Sequence, residues 1–300
     1  MTRREITVKH PDGRAVHALV LGDPGEGRVV VYHHGFPACR LEALLARKHA
    51  IDLNMCVVAI DRPGMGNSDW YPDRKLDEWP EDVSLVLDEL GVREFAVLGV
   101  SGGTPSAVAT AVALPNRVKT LTVVSGMAPM SLPGAQQGTN AVNRFMMQLV
   151  QRYPAAGRMA IGGIASAWRA VPTIAELWMG LVLPKQDRAL ITENTVAATL
   201  GRSTAGALKG GVRGVVADYG LLASHWGDLL MQVKVPTMIW HGTADTYVPF
   251  AMGRILHERI PGSEFRVVPE GGHFMMVELL GDILEDLSNR SWRERDAGAA

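Results

Sequence analysis

Gly99-Val100-Ser101-Gly102-Gly103 follows directly on the apolar run Phe95-Ala96-Val97-Leu98 and leads into Thr104-Pro105-Ser106-Ala107-Val108-Ala109. The order reads as strand, sharp turn, helix. A serine on such a turn has a strained backbone that small neighbours tolerate, and its Oγ stands at the carboxyl edge of a sheet as a nucleophile. Glycine and serine are common residues, so the pentapeptide gains meaning only if the chain also supplies a base, an acid and oxyanion donors in a matching order.

Working outward, apolar runs predict strands near 4–9, 15–21, 28–32, 56–60, 95–100 and 120–124, with helices near 40–52, 77–90 and after Ser101. The first strands pair as a hairpin or edge, and the later ones alternate with helices. That alternation predicts an α/β fold: a mostly parallel sheet of about eight strands, covered on both faces, with its ligand crevice outside the carboxyl ends of the strands. Between about 129 and 221 the pattern turns helical, with segments at 140–153, 156–170, 173–183 and 188–200, and strands resume at Val235 to Trp240. A helical block inserted into an α/β chain has to lie over the sheet's rim, so this segment reads as a lid. Met130, Met146, Met147, Met159, Trp168, Trp178 and Met179 make it apolar; most belong in helix–helix packing, and a few should face the crevice. The division is then 1–128 and 222–290 for the core, 129–221 for the lid, and 291–300 for a mobile tail after the last strand and helix at 264–268 and 274–287.

The 300 residues are 47% hydrophobic, enough for a large core, and carry a formal charge of −1. There is no basic footprint for nucleic acid and no polybasic segment for an anionic membrane, which favours small neutral partners. The first residues lack the apolar centre of a secretory signal and no apolar run reaches the roughly 18 residues of a membrane span, so a cytoplasmic protein, monomer or homodimer, is expected. Cys39, in a loop, and Cys56, opening a strand, make neither a disulfide framework nor a zinc site.

Serine needs a base, and among nine histidines His273 stands out because Glu270-Gly271-Gly272-His273-Phe274 is a glycine-flexed loop between the last strand and the last helix. The base needs a carboxylate, and Asp245 follows the strand ending at Trp240; Glu270 is the fallback. The loop after the strand at 120–124, Ser125-Gly126-Met127-Ala128, offers none. Oxyanion donors come from the strand end His33-His34-Gly35-Phe36-Pro37, where a glycine turn directs the Phe36 N–H toward the same point as the N–H of Gly102. The paired histidines lack further ligands at metal spacing, and His34 is expected to brace the loop. Gly103 is expected to leave the crevice open by having no side chain.

His34-Gly35-Phe36-Pro37, Asp61-Arg62-Pro63-Gly64-Met65-Gly66-Asn67-Ser68, the Ser101 pentapeptide, His241-Gly242-Thr243-Ala244-Asp245 and Gly272-His273 together resemble the α/β-hydrolase superfamily, in the lid-bearing branch of serine esterases and cofactor-free haloperoxidases. The resemblance covers nearly the whole core and has the superfamily's order of Ser, Asp, His. It implies Ser101, Asp245 and His273 as a triad, Phe36 and Gly102 as oxyanion donors, no cofactor and no metal, and hydrolysis of small to medium, largely apolar esters. The Asp61–Ser68 loop carries structure more than chemistry in that family. Carbon–carbon bond hydrolysis or perhydrolysis with the same triad, or a receptor that signals through its lid, are the alternatives. A serine at the elbow argues against dehalogenase and epoxide-hydrolase chemistry, and Gly102 in place of tryptophan argues against prolyl aminopeptidases. A single glycine before Phe36 predicts poor cleavage of tertiary-alcohol esters.

Overall fold

A computed structural model describes residues 2–26, 28–171, 185–191 and 194–297. Eight strands, β1 (Arg3–Lys9), β2 (Ala15–Leu21), β3 (Val29–His33), β4 (Cys56–Ile60), β5 (Phe95–Val100), β6 (Val118–Val124), β7 (Thr237–Gly242) and β8 (Glu264–Val268), form one sheet in the order β1-β2-β4-β3-β5-β6-β7-β8. β1 pairs antiparallel with β2 and β2 with β4, and every pairing from β4 to β8 is parallel.

Strand alternation splits the core in two. Val29, Val31, Val97, Val123 and Ile239 pack on one face against α2 (Trp79–Glu89), α3 (Thr104–Ala113) and, at Met252 and Leu256, the helix Phe250–Arg259. Val30, Tyr32, Val57, Ala96, Leu98 and Trp240 pack on the other against a 3-10 segment (Arg40–Ala46), α1 (Arg47–Asp52) and the C-terminal helix Met276–Ala297. With both faces covered, central strands such as Val-Val-Val-Tyr-His and Cys-Val-Val-Ala-Ile are buried along their whole length, which is why they lack polar alternation.

Between β6 and β7 the described helices are α4 (Ala141–Arg152), α5 (Pro154–Ala170), α6 (Lys185–Ile191), α7 (Asn194–Ala207), α8 (Arg213–Leu222) and α9 (Gly227–Leu230). The helix expected at 173–183, with Trp178 and Met179, lies outside the described residues. Asn140 caps α4 by accepting from the Asn143 N–H at 2.9 Å. Of the apolar residues expected there, Met146, Met147 and Trp168 line cavities, Met130 is buried in the core, and Met159 stands 79% exposed. After β7 come α10 (Phe250–Arg259) and α11 (Met276–Ala297).

α11 corrects the expected tail over 291–297; residues 298–300 lie outside the described residues. The helix continues to Ala297, Trp292 is only 2% exposed, and Ser291 Oγ lies 2.6 Å from Thr120 Oγ1. Leu280, Ile283, Leu284 and Leu287 mark the stripe that faces the sheet, and Trp292 prolongs it beyond the point where charged residues make the sequence look solvated. Cys39 and Cys56 are both buried. Among the described residues no helix is long and apolar enough to cross a membrane.

Candidate active site

β5 ends at Val100, extended, and the chain turns at once into a 3-10 turn (Ser101–Gly103) and α3. Ser101 takes φ +50°, a conformation that costs a non-glycine residue of order 1 kcal/mol and tends to accompany function. Thr104 Oγ1 donates to the Ser101 carbonyl at 2.7 Å and so secures the turn. The small neighbours have distinct reasons. A Cβ on Gly99 would lie 2.6 Å from Ala107 Cβ, and one on Gly102 would lie 2.6 Å from Phe36 Cβ and 3.2 Å from the Phe36 nitrogen. Gly103 does not serve to keep a crevice open, as expected from the sequence: a Cβ there would strike the His33 and His34 carbonyls at 2.2 and 2.7 Å. It lets the elbow lie against the end of β3, which brings Gly102 beside Phe36.

That end of β3 is held from two sides. Arg62, 2% exposed, donates to the His34 carbonyl at 2.6 Å (Nη1) and to the Gly35 carbonyl at 2.9 Å (Nη2). The Gly35 N–H donates to Glu42 Oε1 at 3.0 Å, which also accepts the Tyr32 hydroxyl at 2.9 Å. In a planar trans peptide the C=O and the following N–H point in opposite directions, so fixing the Gly35 carbonyl on Arg62 turns the Phe36 N–H the other way. Arg62 is itself fixed by Asp218 of α8, through Nε at 3.0 and 3.1 Å and Nη2 at 2.8 Å, and Arg74 reaches the same carboxylate at 2.8 Å. His34 braces the loop as expected, its Nδ1 donating to the Gly35 carbonyl at 3.1 Å. Burial, with Arg62 nearby, holds both neighbouring histidines neutral, His33 down at about 3 and His34 well below its ordinary value.

The loops after β7 and β8 are zipped together. Thr243 N donates to the Val268 carbonyl at 3.0 Å and Ala244 N to the Gly271 carbonyl at 3.0 Å, an approach that leaves no room for a Cβ on Gly242. This brings Asp245 and His273 into contact: His273 Nδ1 donates to Asp245 Oδ2 at 2.8 Å, while Asp245 Oδ1 accepts the Tyr247 and Val248 N–H groups, each at 2.9 Å. Burial pushes the His273 imidazolium down, but the Asp245 charge and hydrogen bond, with the charges of Asp187 and Glu42, outweigh it and the pKa is raised above its ordinary 6.5. Glu270, the fallback acid, is exposed and takes no part.

His241, which opens the His241-Gly242-Thr243-Ala244-Asp245 motif, lies at the end of β7. It is fully buried, 3.6 Å from Asp245 Oδ2, but its Nε2 donates to the Val248 carbonyl at 2.9 Å and burial keeps it neutral.

Ser101 opens onto two compartments. One, of about 90 Å³, is lined by Gly35, Phe36, Glu42, Trp168, Tyr247 and His273 among others. The second, of about 80 Å³, shares Phe36, Ser101, Trp168 and Tyr247 and is walled by Met127, Met146, Met147, Ile161, Ile164 and Leu222. No Lys or Arg occurs among the described residues lining either.

The sequence names Arg62 only within the structural Asp61–Ser68 loop, and sequence reasoning misses three further charged residues around these loops: Glu42, Asp187 and Asp218. Asp218 carried a signal, a lone carboxylate in Val215-Val216-Ala217-Asp218-Tyr219-Gly220-Leu221-Leu222, which betrays a buried and partnered charge. Glu42 and Asp187 carried none.

The family model of the alpha/beta hydrolase fold matches residues 28–278. The chain is 26% identical to a 2-hydroxymuconate semialdehyde hydrolase of Pseudomonas putida, over 86% of this chain and 85% of that protein. It is also 26% identical to a 2-hydroxy-6-oxononadienedioate/2-hydroxy-6-oxononatrienedioate hydrolase of Cupriavidus pinatubonensis, over 92% and 91%. Among solved structures it resembles a thermophilic esterase from Thermogutta terrifontis (TM-score 0.66, 22% identity, 98% of this chain and 99% of that one). A bromoperoxidase from Bacillus anthracis is similar as well (TM-score 0.64, 17% identity, 95% and 98%).

Proposed function

Since the chain belongs to the alpha/beta hydrolase fold family, we propose that it is a serine hydrolase cleaving carboxylic esters of small to medium, largely apolar substrates through an acyl-enzyme on Ser101. The observation that carries this is the 2.8 Å bond from His273 to Asp245 in the same cavity as a serine held at φ +50°. With Nδ1 committed to Asp245, His273 keeps Nε2 to accept the Ser101 proton during attack and to return it to the leaving alcohol; water then repeats the cycle on the acyl-enzyme. Phe36 and Gly102 supply N–H donors to the oxyanion. The chemistry requires no metal or cofactor. Ser101→Ala is expected to lower kcat on aryl esters by on the order of 10⁶; a variant that keeps most of its turnover would sink the proposal.

The sequence relatives favour a second reading, hydrolysis of a carbon–carbon bond with the same residues. One of them is named for dioate substrates, and a dioate calls for cationic partners. The described walls offer none, and one of them presents the buried carboxyl of Glu42, whose pKa burial raises. Uncharged esters therefore fit the cavity better. A faster turnover of a dienoic dioate diketone than of butyrate aryl esters would reverse that preference. A signalling receptor would release one equivalent of product and stop, so steady-state turnover tells it apart. The Phe36 ring, which borders both compartments, supports the expectation that tert-butyl esters are cleaved far more slowly than ethyl esters.

A further inference from the structure

Asp187 has no part in the chemistry above, yet its side chain is fully buried against the loop that carries the base. It belongs to α6, in the segment between β6 and β7, 86 residues before His273. Both of its oxygens accept main-chain N–H groups of that loop: Oδ2 from His273 at 2.8 Å and Oδ1 from Phe274 at 2.9 Å. Gly272 makes the approach possible, because a Cβ there would lie 2.2 to 2.5 Å from the carboxylate atoms. The His273 and Phe274 amides are thus held by a residue from a different part of the fold, while Ala244 N–H holds the Gly271 carbonyl and Ser125 Oγ the His273 carbonyl, each at 3.0 Å.

We infer that Asp187 is a positioning residue for His273. Docked from α6, it locks the His273 and Phe274 amides so that the imidazole lies along its bond to Asp245, and its charge supports the imidazolium that forms as Ser101 attacks. The inference rests on the proposed roles of Ser101, Asp245 and His273. The groups that face His273 are Asp245 from the loop after β7, Asp187 from α6, Glu42 from the 3-10 segment and His241 of β7, which burial keeps neutral, with the Tyr247 and Phe274 rings 5.0 and 5.3 Å from its own. Asp245 directs the ring nitrogen. Asp187 directs the backbone that the ring hangs from, so the two act on different bonds.

The test compares Asp187→Asn with the unsubstituted protein and with Ser101→Ala on one neutral aryl ester. An asparagine keeps the size but loses the charge, and it can accept only one of the two amides while turning its own NH₂ toward the other. Asp187→Asn is expected to lower kcat about ten- to a hundredfold with KM changed less than about threefold. It should also move the acidic limb of kcat/KM to lower pH, since one of the charges that raises the His273 pKa is gone. The low-field proton resonance of His273 Nδ1–H should broaden or vanish. A purely structural residue would lower the unfolding midpoint without moving the limb or the resonance. If the variant does not fold, amide exchange in the unsubstituted protein decides: His273 and Phe274 amides should be protected together with those of α6, and exchange as fast as in an exposed loop overturns the inference. Ser101→Ala inert with Asp187→Asn unchanged in all three readouts refutes the positioning role and leaves the functional proposal standing. Ser101→Ala still active refutes the functional proposal itself.

Discussion

Arg62→Met removes the clamp on the oxyanion loop while keeping an unbranched apolar stem of similar reach, and its cost follows from the bonds lost. Arg62 is buried and makes three bonds to Asp218 and one to each of the His34 and Gly35 carbonyls. Breaking a buried ion pair costs about 3–5 kcal/mol. The low end applies, because Arg74 still holds Asp218 at 2.8 Å. Two buried carbonyls then lose a charged donor, at about 1 kcal/mol each or more. The terms share one network and do not add strictly, so about 4–6 kcal/mol is expected, a large part of the roughly 5–15 kcal/mol that holds an ordinary domain together. At roughly 2–4 °C per kcal/mol in larger domains, the melting midpoint should fall by about 10 °C or more.

Activity should fall further than stability explains. Without Arg62 the Gly35–Phe36 peptide is free to rotate, and a lost oxyanion donor costs about 10²–10³ in kcat. The assay is kcat on an aryl ester well below the melting midpoint, with guanidinium unfolding of the same samples. Asp218→Asn is the comparison. It leaves Arg62 in place and hydrogen-bonded to both carbonyls, so it should lose stability but keep most of kcat. Arg62→Met folded within about 1 kcal/mol of the original and within twofold in kcat would refute the clamp.

The pH dependence has a definite sign. His273 must be neutral to act as base, and its pKa is raised, so activity should appear as pH rises through a midpoint above 6.5 and vanish below it; a flat kcat/KM from pH 5 to 8 would exclude a histidine base. A raised folded-state pKa stabilises the fold fully below the unfolded value near 6.5 and loses that contribution as pH rises through the folded one, so activity and this part of stability should move in opposite directions. Gly103→Ala should cost about 3 kcal/mol or more, since the new methyl meets two backbone carbonyls and not a movable side chain, and the Gly103 φ of −77° rules out backbone preference as the cause. A denaturation midpoint within error of the original would contradict that. Trp168→Ala should join the two compartments and raise the octanoyl-to-butyryl ratio of kcat/KM by about tenfold or more; an unchanged chain-length profile would remove Trp168 from the substrate wall.

What could be read from the sequence was local. Ser101 and Asp245 each follow an apolar strand, His273 follows the mixed strand Glu264–Val268, and each has glycine nearby, so the strand, its end and the turn chemistry are all visible within ten residues of each. The parallel order of the central strands was visible for the same reason, as uninterrupted Val/Ile/Leu runs. Illegible were the partners that meet only in three dimensions. Arg62 and Asp218 are 156 residues apart, and Asp187 sits in Lys185-Gln186-Asp187-Arg188, indistinguishable from a solvated helix face. Glu42 reads as a surface charge beside Arg40. Trp292 was lost among charges because it is the one aromatic in Ser291-Trp292-Arg293-Glu294-Arg295-Asp296. Gly103 was placed correctly but explained wrongly, because the constraint on it comes from the end of β3, about 70 residues away, and not from the crevice.

Asp187 and Asp218 belong to different inserted helices and hold different loops, but their electrostatic situations are not alike. Asp218 faces two guanidiniums, Arg62 and Arg74, so its charge is more than matched and what it transmits to the oxyanion loop is geometry. Asp187 is held by two main-chain amides, which are dipoles, and burial raises its pKa despite them. In its ionised form, which the two amides favour and burial opposes, its charge acts on the imidazole of His273. In a low-dielectric site a fixed anion near a group that becomes cationic in the transition state lowers the barrier without reorganising at the moment of reaction. The inserted helices thus do more than border the compartments. In the proposed mechanism one carboxylate aims the donors that meet the oxyanion, and the other aims and charges the surroundings of the base. Both halves of the proposed site are thus tied, through Asp218 and Asp187, to helices inserted between β6 and β7.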